Sequence, residues 1–284
     1  MIQSGSLISK SQPVIGVFDS GFGGLTVLRA LLALVPSASY VYLGDTARLP
    51  YGSKSRETIV RYALSSAQFL ADKGADLLVI ACNTATALAL EDIRAALPIP
   101  VVGVVEPGAE AALAASGKQK DKDVLVLATA ATVQSGAYTR ALAALGLPAT
   151  EKACPLLVPL VEEGWLEQPV YKSVTLEVLR IYLIEALAQA PSAATLLLGC
   201  THYPLLKPLI ETTLQTLRHP LTIIDSADAT ARAVQALLPV AAGASEAAPQ
   251  CEFYATDSVE KFQRLGSIFL GRALDEVHLL DLGG

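Results

Sequence analysis

The sequence has no long hydrophobic run, although 52% of its 284 residues are hydrophobic. Its apolar runs are about four to eight residues long, whereas a membrane-spanning helix needs roughly 18 apolar residues in a row. Short runs that end at glycine, aspartate, proline or cysteine are typical of parallel strands buried on both faces of a sheet. The first 14 residues also lack the apolar segment of a secretory signal. We therefore expect a cytoplasmic protein with no membrane partner.

Basic runs, paired cysteines and nucleotide-binding fingerprints are also missing. The formal charge is −6 and no basic run is present, so nucleic acid is not expected as a partner. The four cysteines form no CxxC pair and no zinc-spaced cluster with histidine, so no metal site is predicted. Gly21, Gly23 and Gly24 lack the third glycine of a dinucleotide fingerprint, and no Walker lysine follows them. The sequence therefore predicts no cofactor.

Strand-like and helix-like segments alternate along the chain, which is typical of an α/β protein with mostly parallel sheets. Helices are predicted at residues 25–35, 55–73, 85–97 and 175–188. Strands are predicted at residues 14–19, 40–45, 76–82, 101–105, 124–129, 195–200, 221–225, 251–256 and 276–282. A loop of small residues is expected at residues 240–250.

Two pairs of segments suggest a weak internal repeat. VIGVFDSGFGG (residues 14–24) resembles VLVLATAATVQSG (residues 124–136), and LLVIACNTAT (residues 77–86) resembles LLLGCTHYPL (residues 196–205). The repeat predicts two related α/β domains. Each would offer a polar loop and a cysteine at the carboxyl ends of its strands, where ligands bind in open α/β sheets.

Two polar loops have alternative interpretations. In FDSGFGG, Ser20 is either a helix cap in a tight turn, or it joins the Asp19 carboxylate in facing a cleft, with the glycines admitting a ligand close to the backbone. In the loop at residues 43–55, Asp45, Tyr51 and Gly52 are candidates for lining a cleft. Most of that loop is expected to be solvated.

Cys82 and Cys200 each follow a predicted strand and precede a helix. A helix N-terminus favours the thiolate over the thiol, so both are candidate bases or nucleophiles. Cys154 and Cys251 are interpreted as structural. One reactive cysteine could serve a hydrolase, with His202 as its partner. Two cysteines, one per half, suggest thiols on opposite faces of one ligand, where one removes a proton while the other delivers one.

Five segments resemble, in order, those of the glutamate racemases: FDSGFGGLTVL, YLGDTARLPYGSKS, VIACNTATA, GVVEPG and LLLGCTHYPLL. The resemblance covers roughly residues 14–226. It implies cofactor-independent interconversion of L- and D-glutamate, which supplies D-glutamate for peptidoglycan. It also implies two pseudo-symmetric α/β domains with the active site between them. The first would comprise residues 1–106 plus 220–284, and the second residues 107–219.

The resemblance also assigns roles to residues. Cys82 would be the base towards D-glutamate and Cys200 the base towards L-glutamate, with Asp19 and His202 assisting their neighbouring thiols. An acid after the PLV segment also matches, and of the adjacent Glu162 and Glu163 its position favours Glu162 as a catalytic residue. Substrate-binding positions would be Asp19, Ser20, Tyr51, Gly52, Asn83, Thr84, Thr129, Thr132, Thr201 and His202. The expected partner is glutamate, with a homodimer as one alternative for assembly.

Three rival functions stay open from the sequence. An aspartate racemase, or another member of the superfamily, would share the fold and the thiols. A cysteine hydrolase would use Cys200 with His202 and leave Cys82 without a role. A non-catalytic amino-acid-binding module would bind glutamate and tolerate the loss of either thiol.

Overall fold

The computed structural model describes residues 8, 10, 12–117, 122–238, 249–274 and 276–283. The chain divides into two compact units, which are Met1–Val104 with Ala227–Gly284, and Val105–Ser226. Most of the predicted loop at residues 240–250 lies outside the described residues.

The first unit is built on a parallel sheet of six strands in the order β10-β9-β2-β1-β3-β4. Its described strands are β1 (Val14–Asp19), β2 (Ser39–Gly44), β3 (Leu77–Ile80), β4 (Val101–Gly103), β9 (Cys251–Ala255) and β10 (Val277–Leu279). From β1 the chain passes to β2 on one side and later to β3 on the other. The carboxyl ends of β1 and β3 therefore form a topological switch point, the usual ligand position in such a sheet.

The second unit repeats this arrangement on a smaller scale. Its four strands are parallel in the order β6-β5-β7-β8. They are β5 (Val124–Ala128), β6 (Ala149–Ala153), β7 (Thr195–Gly199) and β8 (Thr222–Asp225). The order 6-5-7-8 matches 2-1-3-4 of the first unit, so the switch point lies between β5 and β7. The predicted α/β class with parallel sheets is confirmed.

Helices connect the strands in both units. In the first unit they are α1 (Leu25–Leu34), α2 (Arg56–Asp72), α3 (Asn83–Ala96), α10 (Ser226–Leu237, whose first residue closes the second unit) and α11 (Val259–Leu270). In the second unit they are α4 (Val105–Ser116), α5 (Ala130–Ser135), α6 (Ala137–Ala144), α7 (Leu157–Glu162), α8 (Pro169–Gln189) and α9 (Lys207–Thr216). Within the described ranges, every helix is too short or too polar to cross a membrane.

Buried strands and amphipathic helices form the core of each unit. All four residues of β3 are buried, as the continuous apolar run predicts for a strand covered on both faces. The spacing of apolar residues in α2 predicts a single buried face, and that face is confirmed. It consists of Ile59, Ala63, Ser66, Ala67 and Leu70.

Several elements differ from the sequence predictions. Helix α8 begins at Pro169, six residues before the predicted start, because proline suits the first turn of a helix. The strand predicted at residues 101–105 ends at Gly103, and Val105 already opens α4. Pro107 lies in the first turn of that helix, where a missing N–H costs little. Strand β6 was missed because it is half-buried at a sheet edge.

Candidate functional site

Asp19, Ser20 and Cys82 lie together at the switch point of the first sheet. Strands β1 and β3 are parallel neighbours in which Phe18 is paired with Ile80. Asp19 therefore ends β1 beside the point where the chain leaves β3 towards Cys82. The Cys82 thiol donates a hydrogen bond to Ser20 Oγ at 3.4 Å. The predicted grouping of a carboxylate, a hydroxyl and a thiol thus exists in this unit.

Cys82 caps the N-terminus of α3, where its Sγ accepts a hydrogen bond from the Ala85 N–H at 3.4 Å. The expected effect of this helix end is present, since the Ala85 N–H bond lowers the pKa of Cys82, but the net shift of that pKa is upward. Burial, together with like-charge repulsion from the Asp19 carboxylate, raises the pKa of the thiol to about 12. Hydrogen bonding with Ser20 and the hydrogen bond from Ala85 lower the pKa but do not offset burial. Cys82 is therefore a protonated thiol at neutral pH.

The glycine-rich turn holds Asp19 in place. Asp19 is 1% exposed, and its Oδ2 accepts a hydrogen bond from the Gly21 N–H at 2.9 Å. A Cβ at Gly24 would come within 2.5 Å of the Asp19 Cβ and 2.9 Å of the Tyr42 hydroxyl. Only glycine fits this approach. The interpretation of Ser20 as a helix cap is wrong, since α1 begins five residues later, at Leu25.

Asn83 and Thr84 occupy the first turn of α3 directly after Cys82, and both are buried. Thr86 has a different role, because its hydroxyl donates to the Ile80 carbonyl at 2.9 Å and accepts from the Val104 N–H at 3.4 Å. Thr86 thereby ties the start of α3 to the neighbouring strand ends. Of the polar residues after Cys82, this leaves Asn83 and Thr84 as the binding candidates.

The loop that carries Tyr51 and Gly52 is less solvated than expected. Asp45 and Tyr51 are buried, and the Tyr51 hydroxyl donates to Asp45 Oδ2 at 2.5 Å. Burial raises the pKa of both groups, so the phenol stays protonated. Because the Tyr51 hydroxyl is already hydrogen-bonded to Asp45, the groups of this loop that can bind a ligand are the backbone N–H and C=O groups of Tyr51 and Gly52.

Arg48 is a positioning residue that sequence reasoning missed. Its Nη2 donates to the carbonyl oxygens of Leu282 and Gly283 at 3.1 and 2.7 Å, and its guanidinium lies over the Tyr62 ring at 4.6 Å. These contacts brace the Tyr51 loop against the end of the chain. No local sequence signal could reveal them, since the partners are more than 230 residues away.

The second sheet presents a similar group at its switch point. Ala128 at the end of β5 is paired with Gly199 at the end of β7, so Thr129 and Cys200 leave the sheet side by side. Thr129 caps α5, and its Oγ1 lies 3.0 Å from Thr132 Oγ1. The threonines predicted as a polar pair are thus in contact.

Cys200, His202 and Glu162 form a chain of contacts in the second unit. Cys200 Sγ lies 3.9 Å from His202 Nδ1, and His202 Nε2 lies 3.1 Å from Glu162 Oε1. Glu162 ends α7 and is partly buried, whereas Glu163 is exposed. The buried Thr201 also lies beside the ring, with its Oγ1 3.4 Å from Nδ1. Glu162, rather than Glu163, therefore belongs to this group.

His202 is charged at neutral pH. Burial alone would lower the pKa of its imidazole, but hydrogen bonds and opposite charge from Cys200 and Glu162 outweigh burial and raise the pKa to about 10. The ring therefore places a positive charge next to the Cys200 sulfur.

The other two cysteines differ in their positions. Cys154 directly follows β6 and is fully buried, and burial raises the pKa of its thiol to about 12. Its Sγ donates to the Lys152 carbonyl at 3.6 Å. Cys251 opens β9 and is half-buried. As for metals, the part of the chain that the structure describes holds no group of three or more His, Cys, Asp or Glu side chains suited to a metal ion.

Comparisons with known proteins agree with this arrangement. A model of the Asp/Glu/Hydantoin racemase family matches residues 15–234. The glutamate racemase of Koribacter versatilis (strain Ellin345) is 50% identical over 301 aligned positions, which cover 98% of this chain and 100% of that protein. A solved glutamate racemase from Thermus thermophilus, in complex with β-chloro-D-alanine, is 40% identical with a TM-score of 0.80, and the match covers 96% of this chain and 99% of that one.

A second solved structure extends the comparison. The glutamate racemase of Francisella tularensis subsp. tularensis SCHU S4, in complex with D-glutamate, is 31% identical with a TM-score of 0.82. That match covers 96% of this chain and 99% of the other. The near-complete coverage and the family match lead to one conclusion: the chain belongs to the Asp/Glu/Hydantoin racemase family, among its glutamate racemases.

Proposed function

We propose that this chain interconverts L- and D-glutamate by moving a proton at Cα between two thiols, without a cofactor. One observation carries the proposal: each of the two sheets has a buried cysteine at its switch point, Cys82 in contact with the Ser20 hydroxyl and Cys200 in contact with the His202 ring. Inversion of a carbon centre needs a base on one face and an acid on the other, and two matched thiols meet this need. The D-glutamate formed serves peptidoglycan synthesis.

Cys200 is the base towards L-glutamate in this proposal, and Cys82 is the base towards D-glutamate. The protonation state of Cys82 and the charged ring beside Cys200 support this order. Cys82 holds its proton at neutral pH, because burial raises its pKa, and so stands ready to deliver it. Cys200 lies next to the charged His202 ring, which stabilises negative charge on a sulfur. After each turnover the two thiols exchange roles, so the reverse reaction runs through the same residues.

The carbanion formed at Cα must be stabilised by the protein, because no cofactor delocalises its charge. Fixed dipoles in a site that excludes water can supply this stabilisation. The candidates are hydroxyls, the Asn83 amide and backbone N–H groups in the first turn of α3. They would hold the two substrate carboxylates through hydrogen bonds. The binding set that we propose is Asp19, Ser20, Tyr51, Gly52, Asn83, Thr84, Thr129, Thr132, Thr201 and His202.

We further propose that the chain forms two domains, one of residues 1–106 with 220–284 and the other of residues 107–219. The division of the chain into Met1–Val104 with Ala227–Gly284, and Val105–Ser226, supports these boundaries. A cytoplasmic location and a homodimer belong to the same proposal.

A cysteine hydrolase is the rival that the geometry of one unit could support, since Cys200, His202 and Glu162 form a nucleophile, base and acid in series. A hydrolase mechanism would give no role to Cys82 or to Ser20, its hydroxyl partner. An aspartate racemase would use the same thiols on a shorter substrate.

Circular dichroism of L-glutamate mixed with the purified chain tests the proposal directly. The signal should decay to zero without added cofactor, and in deuterated water the product should carry deuterium at Cα. L-Aspartate should keep its signal under the same conditions. A stable glutamate signal, or racemisation that needs an added cofactor after dialysis with chelator, would contradict the proposal.

A further inference from the structure

A groove lies between helix α9 and strand β8 in the second unit. Among the described strands β8 is the edge strand of its sheet, so no further described strand fills the space beside β8 and α9. This space amounts to about 470 Å³, which is the size of a small-molecule site. Its apolar lining includes the buried Leu214 and the half-buried Ile223. We call it the α9 groove and define it by Lys207, Glu211, Leu214, Arg218, His219 and Ile223.

The α9 groove carries positive charge, although the whole chain has a formal charge of −6. Lys207 and Arg218 are charged at neutral pH, and Glu211 is the acid that lines the groove with them. Within the described ranges, no ion pair or side-chain hydrogen bond engages Lys207, Arg218 or His219. Basic groups that lack a partner beside an apolar surface match a ligand that has an anionic group and an apolar body.

The backbone at Arg218 favours a different residue. Arg218 lies two residues after the end of α9 with a φ of 55°, in the left-handed region where a Cβ is crowded. Glycine takes the same position, two residues after the helix end, in α2, α6 and α7, as Gly74, Gly146 and Gly164. Glycine would also fit the end of α9 better than arginine does. We therefore attribute the arginine at this position to its side chain, which lines the α9 groove.

We propose that the α9 groove binds a small organic oxyanion, that is, a carboxylate or phosphate group on an apolar body. Arg218 and His219 receive the oxyanion, because a guanidinium can donate two parallel hydrogen bonds to such a group. The apolar body lies against Leu214 and Ile223. Glu211, about 10 Å from Arg218 along the helix axis, accepts a hydrogen bond from a hydroxyl or amine at the other end of the ligand.

The end of the groove at Arg218 is separate from the groups proposed for racemisation. Strand β8 begins with Thr222, which is paired with Thr195 at the start of β7. Cys200 follows the last residue of β7, so it leaves the sheet at the opposite edge. Binding in the α9 groove therefore stands or falls independently of the proposed function.

The test is an NMR titration of the full chain with phenyl phosphate at neutral pH. The chain has three histidines, and His219→Gln identifies the ring that lines the groove. The His219 resonances should shift to saturation with a Kd of about 1 mM. Inorganic phosphate lacks the apolar body and should bind roughly tenfold more weakly. Benzoate carries a carboxylate in place of the phosphate, so the tighter of the two organic probes identifies the anionic group.

Variants at Arg218 separate binding from folding. Arg218→Gly suits the left-handed backbone, so it should melt no lower than wild type and yet bind the tighter organic probe roughly tenfold more weakly. Arg218→Asn, which also tolerates this conformation, should weaken binding in the same way. The matched control is Arg264→Gln on α11, which removes one positive charge from an exposed arginine outside the groove and should leave binding unchanged.

Four results would overturn the proposal. The first is a His219 resonance that neither organic probe shifts to saturation at about 10 mM. The second is an affinity for inorganic phosphate equal to that for the tighter organic probe, because the apolar surface would then bind nothing. The others are full binding by a folded Arg218→Gly or Arg218→Asn chain, and an equal loss of binding in Arg264→Gln.

Discussion

His202 Nε2 lies 3.1 Å from Glu162 Oε1, while Nδ1 of the same ring lies 3.9 Å from Cys200 Sγ. One imidazole thus connects a carboxylate to a thiol inside the second unit. Both contacts favour the charged ring, and together they outweigh the burial that opposes it. The charge of this ring is therefore a property that can be measured and altered.

The first prediction concerns the pKa of His202. The chain has three histidines, so its imidazole resonances can be followed individually by NMR as pH changes. The His202 ring should titrate near pH 10. Glu162→Gln should lower that pKa, because it removes the opposite charge at Nε2.

The control for this titration is the adjacent acid. Glu163 is exposed, so Glu163→Gln changes the net charge in the same way without touching the ring. Glu163→Gln should leave the pKa of His202 unchanged. An equal shift in both variants would mean that the Glu162–His202 contact does not hold the proton.

The second prediction is a fall in stability between pH 6.5 and pH 9. The pKa of His202 is raised from 6.5 to about 10 on folding, so the folded chain binds more protons in this window. The stabilisation is complete below the unfolded pKa and is lost as pH rises towards the folded value. The Cys82 thiol also makes the free energy of unfolding fall as pH rises, but it does so above pH 9, because folding raises its pKa from 9.0 to about 12.

Urea unfolding at each pH measures this effect. The free energy of unfolding should fall by at most about 3 kcal/mol across the window. Glu162→Gln should flatten the slope. A slope in Glu162→Gln as steep as in wild type would assign the effect to other groups.

The third prediction separates structural from reactive thiols. Cys154→Ala should leave racemisation within a few-fold and cost roughly 1 kcal/mol of stability, because it removes one buried sulfur. Cys251→Ala should have a smaller effect on stability, because Cys251 is only half-buried, and it should also leave racemisation nearly unchanged. Turnover and urea unfolding measure the two effects. A folded Cys154→Ala chain without activity would mean that the wrong cysteine had been assigned.

The fourth prediction is a directional effect of the assisting residues. Asp19 lies next to Ser20 and raises the pKa of Cys82, whereas His202 lies next to Cys200. Asp19→Asn and His202→Asn should each slow one direction more than the other, by roughly a hundredfold in kcat. The equilibrium ratio of L- to D-glutamate cannot change, so KM must compensate. Kinetics started from each enantiomer measure the asymmetry, and identical effects of both variants would contradict separate partners.

Local sequence patterns were sufficient for most of the fold. The apolar run that ends in Cys82 predicts a buried strand followed by a helix, because all its determinants are neighbours in sequence. The same holds for the run that ends in Cys200. The N-terminal part of α8 was missed because Val170 and Val174 are β-branched, which is unusual in a helix. The edge strand β6 was missed because it carries charge and little apolar surface.

Features that depend on distant contacts could not be predicted. Glu162 contacts His202, which lies 40 residues later in the sequence. Arg48 donates hydrogen bonds to the carbonyl oxygens of Leu282 and Gly283. The net direction of the Cys82 pKa shift could not be predicted, because the helix terminus is visible in the sequence but the burial that outweighs it depends on tertiary packing. The resemblance to glutamate racemases named the site residues that such reasoning alone left open.

The most direct test of two thiols on opposite faces uses a glutamate with a leaving group at the β carbon. Elimination needs only removal of the α-proton, so one thiol suffices. Cys82→Ala should eliminate from the L compound alone, Cys200→Ala from the D compound alone, and Cys154→Ala, as the control, from both. Product formation by each variant with each enantiomer is the measurement. If both Cys82→Ala and Cys200→Ala eliminate equally from both enantiomers, or neither eliminates at all, the thiols do not act on opposite faces and the account is wrong.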